Sequence, residues 1–477
     1  MNKSNLQVNR SYNEPSATSP PFRALFILLL IYICSYVDRV IMSILAVPIK
    51  ADLALSDTRL GLLAGLPFVL FYVLFGIPVA WLADRYDRTK IITIAVTVWS
   101  IFTISCGLAH NFWQLALARV GVGTGEAGGT APSYALIADY FSPAHRARAL
   151  AVFSFGIPIG AALGLLMGGW IASHIHWRAA FIIVGFAGFP LAVVLKLGVK
   201  EPVRGAYDQR SQTEPNPTFS TAARLLTANP SFWLLSLASA CCSIVVYGLM
   251  FWMPSFLARS WHMELAQVSY FYAPIVLCGG LGGMWLGGWL GDRLGHSRPS
   301  AYAIVPAISL PLCALVNVFG LFVPSLTLAF FALLVAQTLG VIWVAPLLTA
   351  LQNIVRPNMR VMASASYLFI SNLIGVGFGG FFFGFVSDQL VRDHGVSALR
   401  YAILYGLGFN LLGSLLFVLA ARRVAHDWQS PAKHSMPSDV DAGDATTRSM
   451  EGAKDGGRLR SIQPVVVTRP GNRHSAQ

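Results

Sequence analysis

The chain is short of charge, and shorter of acid than of base. It holds 34 Lys and Arg against 21 Asp and Glu, and charged residues make up 12% of its 477 positions while hydrophobic ones make up 55%. That is too little charge to cover a soluble body of this size, so water is not its main solvent. Its six cysteines, Cys34, Cys106, Cys241, Cys242, Cys278 and Cys313, lie inside apolar runs, with no Cys-x-x-Cys spacing and no histidine cluster beside them. A disulfide or metal framework is thereby excluded, and they read as small buried apolar residues. A nucleotide-binding glycine loop and a nucleophile elbow are also missing, so no enzyme activity, cofactor or metal is expected. The first 21 residues are polar and contain Pro15, Pro20 and Pro21, where a secretory signal would place an apolar core. Targeting is expected to rest on the first apolar segment itself.

What the chain has in place of charge is a succession of apolar stretches. Most run to about 20–28 residues, the length a helix needs to cross about 30 Å of hydrocarbon, whereas a barrel would show short alternating strands. Helices are expected near residues 22–49, 58–83, 90–109, 113–139, 147–173, 178–198, 230–258, 265–291, 299–322, 325–354, 361–388 and 398–424. The reading is an all-α polytopic membrane protein of twelve transmembrane helices in two six-helix, pseudo-symmetric bundles, residues 22–198 and 230–424. A charged, proline-bearing cytoplasmic linker at 199–229 separates them, and disordered cytoplasmic termini are expected at 1–21 and 425–477. The net charge of +13 falls in connectors and the polar tail, so it sets topology and does not point to nucleic acid. Connectors holding Arg85, Arg88, Lys90, Arg146, Arg148, Arg293, Arg298, Arg356 and Arg360 are placed inside, with both termini, in the inner membrane of the cell.

The two halves share a motif. AWLADRYDRTK over residues 80–90 follows the second helix of the first half, and GWLGDRLGHSR over residues 288–298 follows the second helix of the other. Parallel repeats about an axis normal to the membrane produce such a pattern. The segment resembles the loop motif of the major facilitator superfamily, with Ala80 and Asp87 standing where glycine is usual in the first copy. Tyr36-Val37-Asp38-Arg39, the run RVGVGTGEA over 119–127 and DYFSPAHR over 139–146 narrow the resemblance to the Spinster branch and its bacterial relatives. It covers roughly residues 22–424. The resemblance implies secondary transport by alternating access, with amphipathic lipids such as lysophospholipids or sphingoid phosphates as cargo in characterised members, and a monomer.

Four charges lie at membrane depth in the first half. Arg119 and Glu126 are two turns apart on one face of the fourth helix with Gly123 between them, and Asp38 and Arg39 sit near the middle of the first. A charge at mid-bilayer costs about 2.5–3.5 kcal/mol on insertion scales, so these groups should face a wet cavity or one another. Asp38 and Glu126 are the candidate proton carriers, and Arg39 and Arg119 the candidate anion-binding groups or partners that keep the acids ionised. The opposing possibility is a fixed salt-bridge network that registers helix one against helix four. By resemblance, Asp84, Arg85, Arg88, Asp139, Asp292 and Arg293 form a cytoplasmic conformational latch; read alone, they are solvated topology charges or helix caps. Glycines recur at 156, 160, 164 and 168 in helix five and at 279, 283, 287 and 291 in helix eight, a spacing that lets helices pack closely. The resemblance implies that these two helices meet across the halves, so both stripes are expected at that contact, with static packing as the alternative.

The second half is nearly uncharged at depth, and its expected cavity residues are Tyr247, Phe251, Trp252, Trp343, Tyr367 and Asn372. A polar wall facing an aromatic one suits proton-coupled transport of an amphipathic organic anion of the lysophospholipid or sphingoid type. The alternative is a symporter for a small carboxylate such as a sugar acid or aromatic acid. It would need further cations or amides in the second half, for which Gln337, Gln352 and Asn353 are available. The expected partners are therefore a small-molecule or lipid substrate, protons and the bilayer, with no nucleic acid.

Overall fold

In the computed structural model, residues 21–204, 224–356 and 359–428 are described, and every regular element among them is a helix. The expected terminal segments and most of the linker lie outside these residues. The first half comprises α1 (Pro21–Ile44), α2 (Ala46–Asp52), α3 (Asp57–Ala83), α4 (Arg88–Gly107), α5 (Phe112–Glu126), α6 (Thr130–Tyr140), α7 (Pro143–Ser154), α8 (Gly156–His174) and α9 (Trp177–Gly198). The second comprises α10 (Pro230–Ser260), α11 (Leu265–Gly295), α12 (Ala301–Phe322), α13 (Leu326–Val341), α14 (Val344–Asn353), α15 (Arg360–His394), α16 (Ala398–Gly406) and α17 (Gly408–Asp427). Among the described residues, 10 stretches are long and apolar enough to cross a membrane, and one of them, Met362–Asp427, holds two passes, α15 and α16–α17. The remaining pass is α5–α6, split in two, which completes twelve.

Several passes expected as single helices are interrupted. Helix four breaks after Glu126, where Gly128 and Gly129 bond three residues back to Gly125 and Glu126, tightening the ladder before α6 restarts at Thr130. Irregular backbone at membrane depth is tolerated where protein or a cavity surrounds it, and this break lies beside the acid expected to carry chemistry. Helix one pauses at Leu45, helix five at Phe155, helix ten at Ile342 and Trp343, and helix twelve at Leu407. Helix starts follow capping rules: Asn229 accepts from the N–H groups of Ser231 and Phe232 ahead of α10, with Pro230 in the first turn where its missing donor costs nothing.

Within the first bundle α1 packs on α8 and α9, α4 on α9, and α3 on α5; within the second, α10 packs on α15 and α17, and α13 on α11 and α12. The glycine stripes belong to these internal contacts, which corrects the expectation for them. Gly156, Gly160, Gly164 and Gly168 lie against Tyr32, Ile33, Tyr36, Val37, Ile41 and Ile44 of α1. Gly279, Gly283, Gly287 and Gly291 lie against Gln337, Thr338, Ile342 and Pro346 of the tenth pass. Spacing by four identifies a close-packing face but not the partner it meets.

The bundles meet elsewhere, chiefly where α3 runs along α15. A side chain at Gly61 or Gly65 would collide with the carbonyls of Gly380 and Val376, so the two backbones touch there. The α8–α11 seam closes at Gly169 against Ser269 and the Leu265 carbonyl. Along α3 this contact runs from Asp57 to about Val69; beyond it Leu70, Leu74, Ile77 and Trp81 are exposed. The bundles are therefore closed on each other at the Asp57 end.

Candidate functional site

The four depth charges converge, as two crossed ion pairs between α1 and α5. Arg39 Nε lies 2.6 Å from Glu126 Oε2, and Arg119 Nη1 lies 3.8 Å from Asp38 Oδ1. Asp38, Arg119 and Glu126 are each only 1% exposed. Gly123 is what lets α5 approach: a side chain there would strike the Phe68 carbonyl of α3.

The pairs are not equivalent. Glu126 Oε2 accepts from both Arg39 and the hydroxyl of Ser35, at 3.0 Å, a charge-assisted arrangement. Asp38 accepts from the Thr103 hydroxyl of α4, while its other oxygen stands beyond hydrogen-bond reach of Arg119. Buried Arg119 Nε and Nη1, Asp38 Oδ1 and Glu126 Oε1 have no hydrogen-bond partner. A guanidinium donor left without a protein acceptor in a buried site costs about 1–3 kcal/mol.

Aromatic rings surround the arginines. The Arg39 guanidinium carbon lies 5.1, 5.0 and 4.9 Å from the ring centres of Tyr36, Phe68 and Tyr72, and that of Arg119 lies 5.5 Å from Phe68. These faces stabilise the cations without neutralising them. Both arginines line a cavity of about 50 Å³ together with Tyr36, Ser43, Phe68, Tyr247, Met250, Phe251 and Val376. Its first-bundle wall carries the charge, and its second-bundle wall is apolar and aromatic. On the other side of the Glu126 carboxyl lies a smaller cavity of about 10 Å³ lined by Ser35, Thr130, Ser133 and Phe153, among others.

Of the second-half residues expected at the cavity, the structure brings Tyr247 and Phe251 there. Trp252 turns away and donates to the Gly380 carbonyl. Trp343 and Tyr367 are buried in a separate core with Leu347 and Phe417, because α14 and the first part of α15 pack on α10 and α12 in that region. Asn372 is half-buried on α15 and is not among the lining residues. Gln337 faces a different cavity with Asn317 and Asn410, Asn353 donates back to Thr349, and the Gln352 carbonyl receives Arg360.

The expected latch groups lie together on the side where the chain exits the first bundle. Arg88 donates to Asp139 at 2.6 Å and to Glu201 at 2.7 Å, while Arg204 reaches the Asp84 and Tyr86 carbonyls. Arg85 stacks over Trp81, and at the matching turn of α11 Arg293 stacks over Trp289 beside Asp292. The ion pairs described there stay within the first bundle and its exit.

A cluster that sequence reasoning passed over lies at the opposite end. Asp57, 1% exposed, accepts from Arg259 Nη1 and Nη2 at 2.7 and 2.8 Å, from Lys50 at 2.5 Å and from Ser387 at 2.8 Å. Asp388 accepts from the backbone N–H groups of Asp57 and Thr58 and from the Thr58 hydroxyl. The contacts of Arg259, Ser387 and Asp388 with Asp57 and Thr58 join the bundles. An acid in the first turn after a serine cap looks like ordinary helix capping, so nothing in the sequence distinguished Asp57. Nearby, outside the spans, Arg178 holds the Asp52 carboxyl below its ordinary range.

The structure thus has two buried ion pairs facing an apolar wall between two six-pass bundles. The family model of the Major Facilitator Superfamily matches residues 28–380. A bacterial homologue of the human lysosomal transporter Spinster, solved in an inward-facing and unoccupied conformation, superposes with a TM-score of 0.80 at 32% identity, covering 87% of this chain and 100% of that one. The chain belongs to the Major Facilitator Superfamily, in its Spinster-like branch. Human protein spinster homolog 1 is 30% identical over 443 residues, covering 85% of this chain and 83% of its own. A protein named MFS-type efflux pump from Mycolicibacterium smegmatis is 34% identical over 410 residues, covering 85% and 93%. This Spinster-like chain is therefore a multi-pass integral membrane transporter, and the crossed ion pairs lie inside its transport domain.

Proposed function

We propose that the protein is a proton-coupled transporter of an amphipathic organic anion of the lysophospholipid or sphingoid type, working by alternating access as a monomer in the inner membrane. The observation that carries this reading is buried Arg119, with two unmet donor nitrogens, on a cavity wall facing Tyr247, Met250 and Phe251. An anionic head belongs on the first wall and an apolar body against the second. A small carboxylate would need cations or amides on the second wall, and Gln337, Gln352 and Asn353 face elsewhere. The name of the mycobacterial relative favours export as the direction, while two arginines at the cavity disfavour a cationic cargo.

In this reading a proton reaching Glu126 past Thr130 and Ser133 neutralises the partner of Arg39 and frees its guanidinium within the aromatic cage. Asp38 does the same for Arg119. Each protonation changes the charge that α1 presents to α5, and with it the balance between the two access states. With the basic connectors inside, the Asp57–Arg259 cluster lies on the outer face and holds it shut, leaving this conformation facing inward. The expected latch of Asp84, Arg85, Arg88 and Asp139 with Asp292 and Arg293 would close the inner face in the other state.

The test is direct binding to the purified protein. Lysophosphatidylglycerol should bind saturably, and Arg119→Gln should weaken it by about tenfold or more, since charge-assisted contacts contribute about 1.5–3 kcal/mol. Binding of small carboxylates alone, or lysolipid binding unaffected by the substitution, would sink the reading.

A further inference from the structure

A second cavity with the features of a ligand site lies far from the transport path, where α10 begins and α17 ends. It measures about 630 Å³ and is lined by Thr227, Ala228, Pro230, Trp233, Leu234, Leu419, Arg422 and Arg423. Arg422 and Arg423 are exposed and enter no ion pair with the described residues, and the nearest acid on their helix, Asp427, has its carboxylate on the Ser231 hydroxyl at 2.6 Å. The α10 N-terminus is already capped by Asn229, so the arginines carry the positive charge of the groove. Trp233 donates its ring N–H to the Thr227 carbonyl at 3.0 Å, in the first turn of an apolar span, the position where tryptophan is enriched at membrane interfaces. Leu234 and Leu419 continue the wall toward the hydrocarbon.

We infer that this groove binds one anionic phospholipid, with its phosphate on Arg422 and Arg423 and an acyl chain along Trp233, Leu234 and Leu419. Basic pockets between helices at the headgroup level recognise anionic lipids in this manner. The site is distinct from the central cavity, and its occupant belongs to the surrounding leaflet. It ties the first helix of the second bundle to its last and sits beside the end of the inter-bundle linker, where the chain enters α10.

The test uses the full chain in bilayers of phosphatidylcholine with a minority of phosphatidylglycerol, and native mass spectrometry counts the lipids retained on release. The wild type should retain phosphatidylglycerol preferentially. Arg422→Gln with Arg423→Gln should lower that preference by about tenfold, and Arg422→Lys with Arg423→Lys should keep most of it. Both pairs of substitutions should leave central-cavity binding unchanged, which separates this outcome from failure of the transport reading. An unaltered preference in the Gln pair would overturn the inference. So would displacement of the lipid by inorganic phosphate, or a rise in retention on truncation after Trp428, which would give the groove to free phosphate or to the chain's own tail.

Discussion

The two bundles share one architecture and divide the work. In the first, Asp38, Arg39, Arg119 and Glu126 sit buried at membrane depth and face one another in pairs. In the second, the comparable interior holds neutral groups: Asn317 donates to the Cys313 carbonyl at 3.0 Å, and Ser371 bonds with Ser239 and Ser243, each at 2.8 Å. Insertion of a charge at this depth is costly and neutral hydrogen bonds are cheap, so the first bundle bears the larger desolvation cost and offsets it by pairing its charges. The first bundle carries the buried charge, and the second supplies an apolar surface and neutral packing.

The largest expected effect breaks the asymmetry at its centre. Arg119→Ala would leave Asp38 buried without its partner and should destabilise the protein by about 3–5 kcal/mol, whereas Asn317→Ala in the second bundle should cost about 1–3 kcal/mol. Thermal unfolding in detergent checks the order, and equal losses would remove the distinction between the bundles. Next in size is the contact between the bundles. Asp57→Asn removes the charge that holds Arg259 and Lys50 and should shift the two access states by about 1–3 kcal/mol, opening the Asp57 end. Spin labels across α3 and α15 would report it as a longer distance distribution, and an unchanged distribution would show that the glycine contacts at Gly61 and Gly65 close this end alone.

Phe251→Ala on the second wall should weaken amphiphile binding by about tenfold while leaving binding of a headgroup analogue without the chain unchanged. Equal loss for both would deny that the walls divide head from body. The smallest effect belongs to the exposed pair Asp52–Arg178. Because Asp52 is held below its ordinary value, any stability it lends is present at neutral pH and fades as pH falls through that lowered value. Asp52→Asn should therefore leave unfolding at neutral pH nearly unchanged, as surface pairs usually do. A large loss there would mean that exposed charges matter as much as buried ones in this fold.

The sequence revealed the depth charges because ionisable residues are rare in apolar runs, and it placed Arg119 and Glu126 on one face through their spacing. It could not say which acid meets which base, since that depends on how α1 crosses α5. The glycine stripes were legible as close contacts, but their partners were not: they face α1 and α13–α14, inside the bundles. Tyr247 and Phe251 reach the cavity while Trp343 and Tyr367 do not, because the break at Trp343 and the packing of α14 decide which way that pass turns. Asp57 escaped notice because its partners, Arg259, Ser387 and Asp388, come from the other half of the chain.

Proton movement into proteoliposomes on addition of lysophosphatidylglycerol, with wild type and Glu126→Gln compared, tests the central claim most directly. The wild type should give a lysolipid-dependent proton signal that the substitution abolishes while Phe251→Ala only weakens it. A proton signal that survives in Glu126→Gln would contradict it, and would leave the Arg39–Glu126 pair as a fixed joint between α1 and α5.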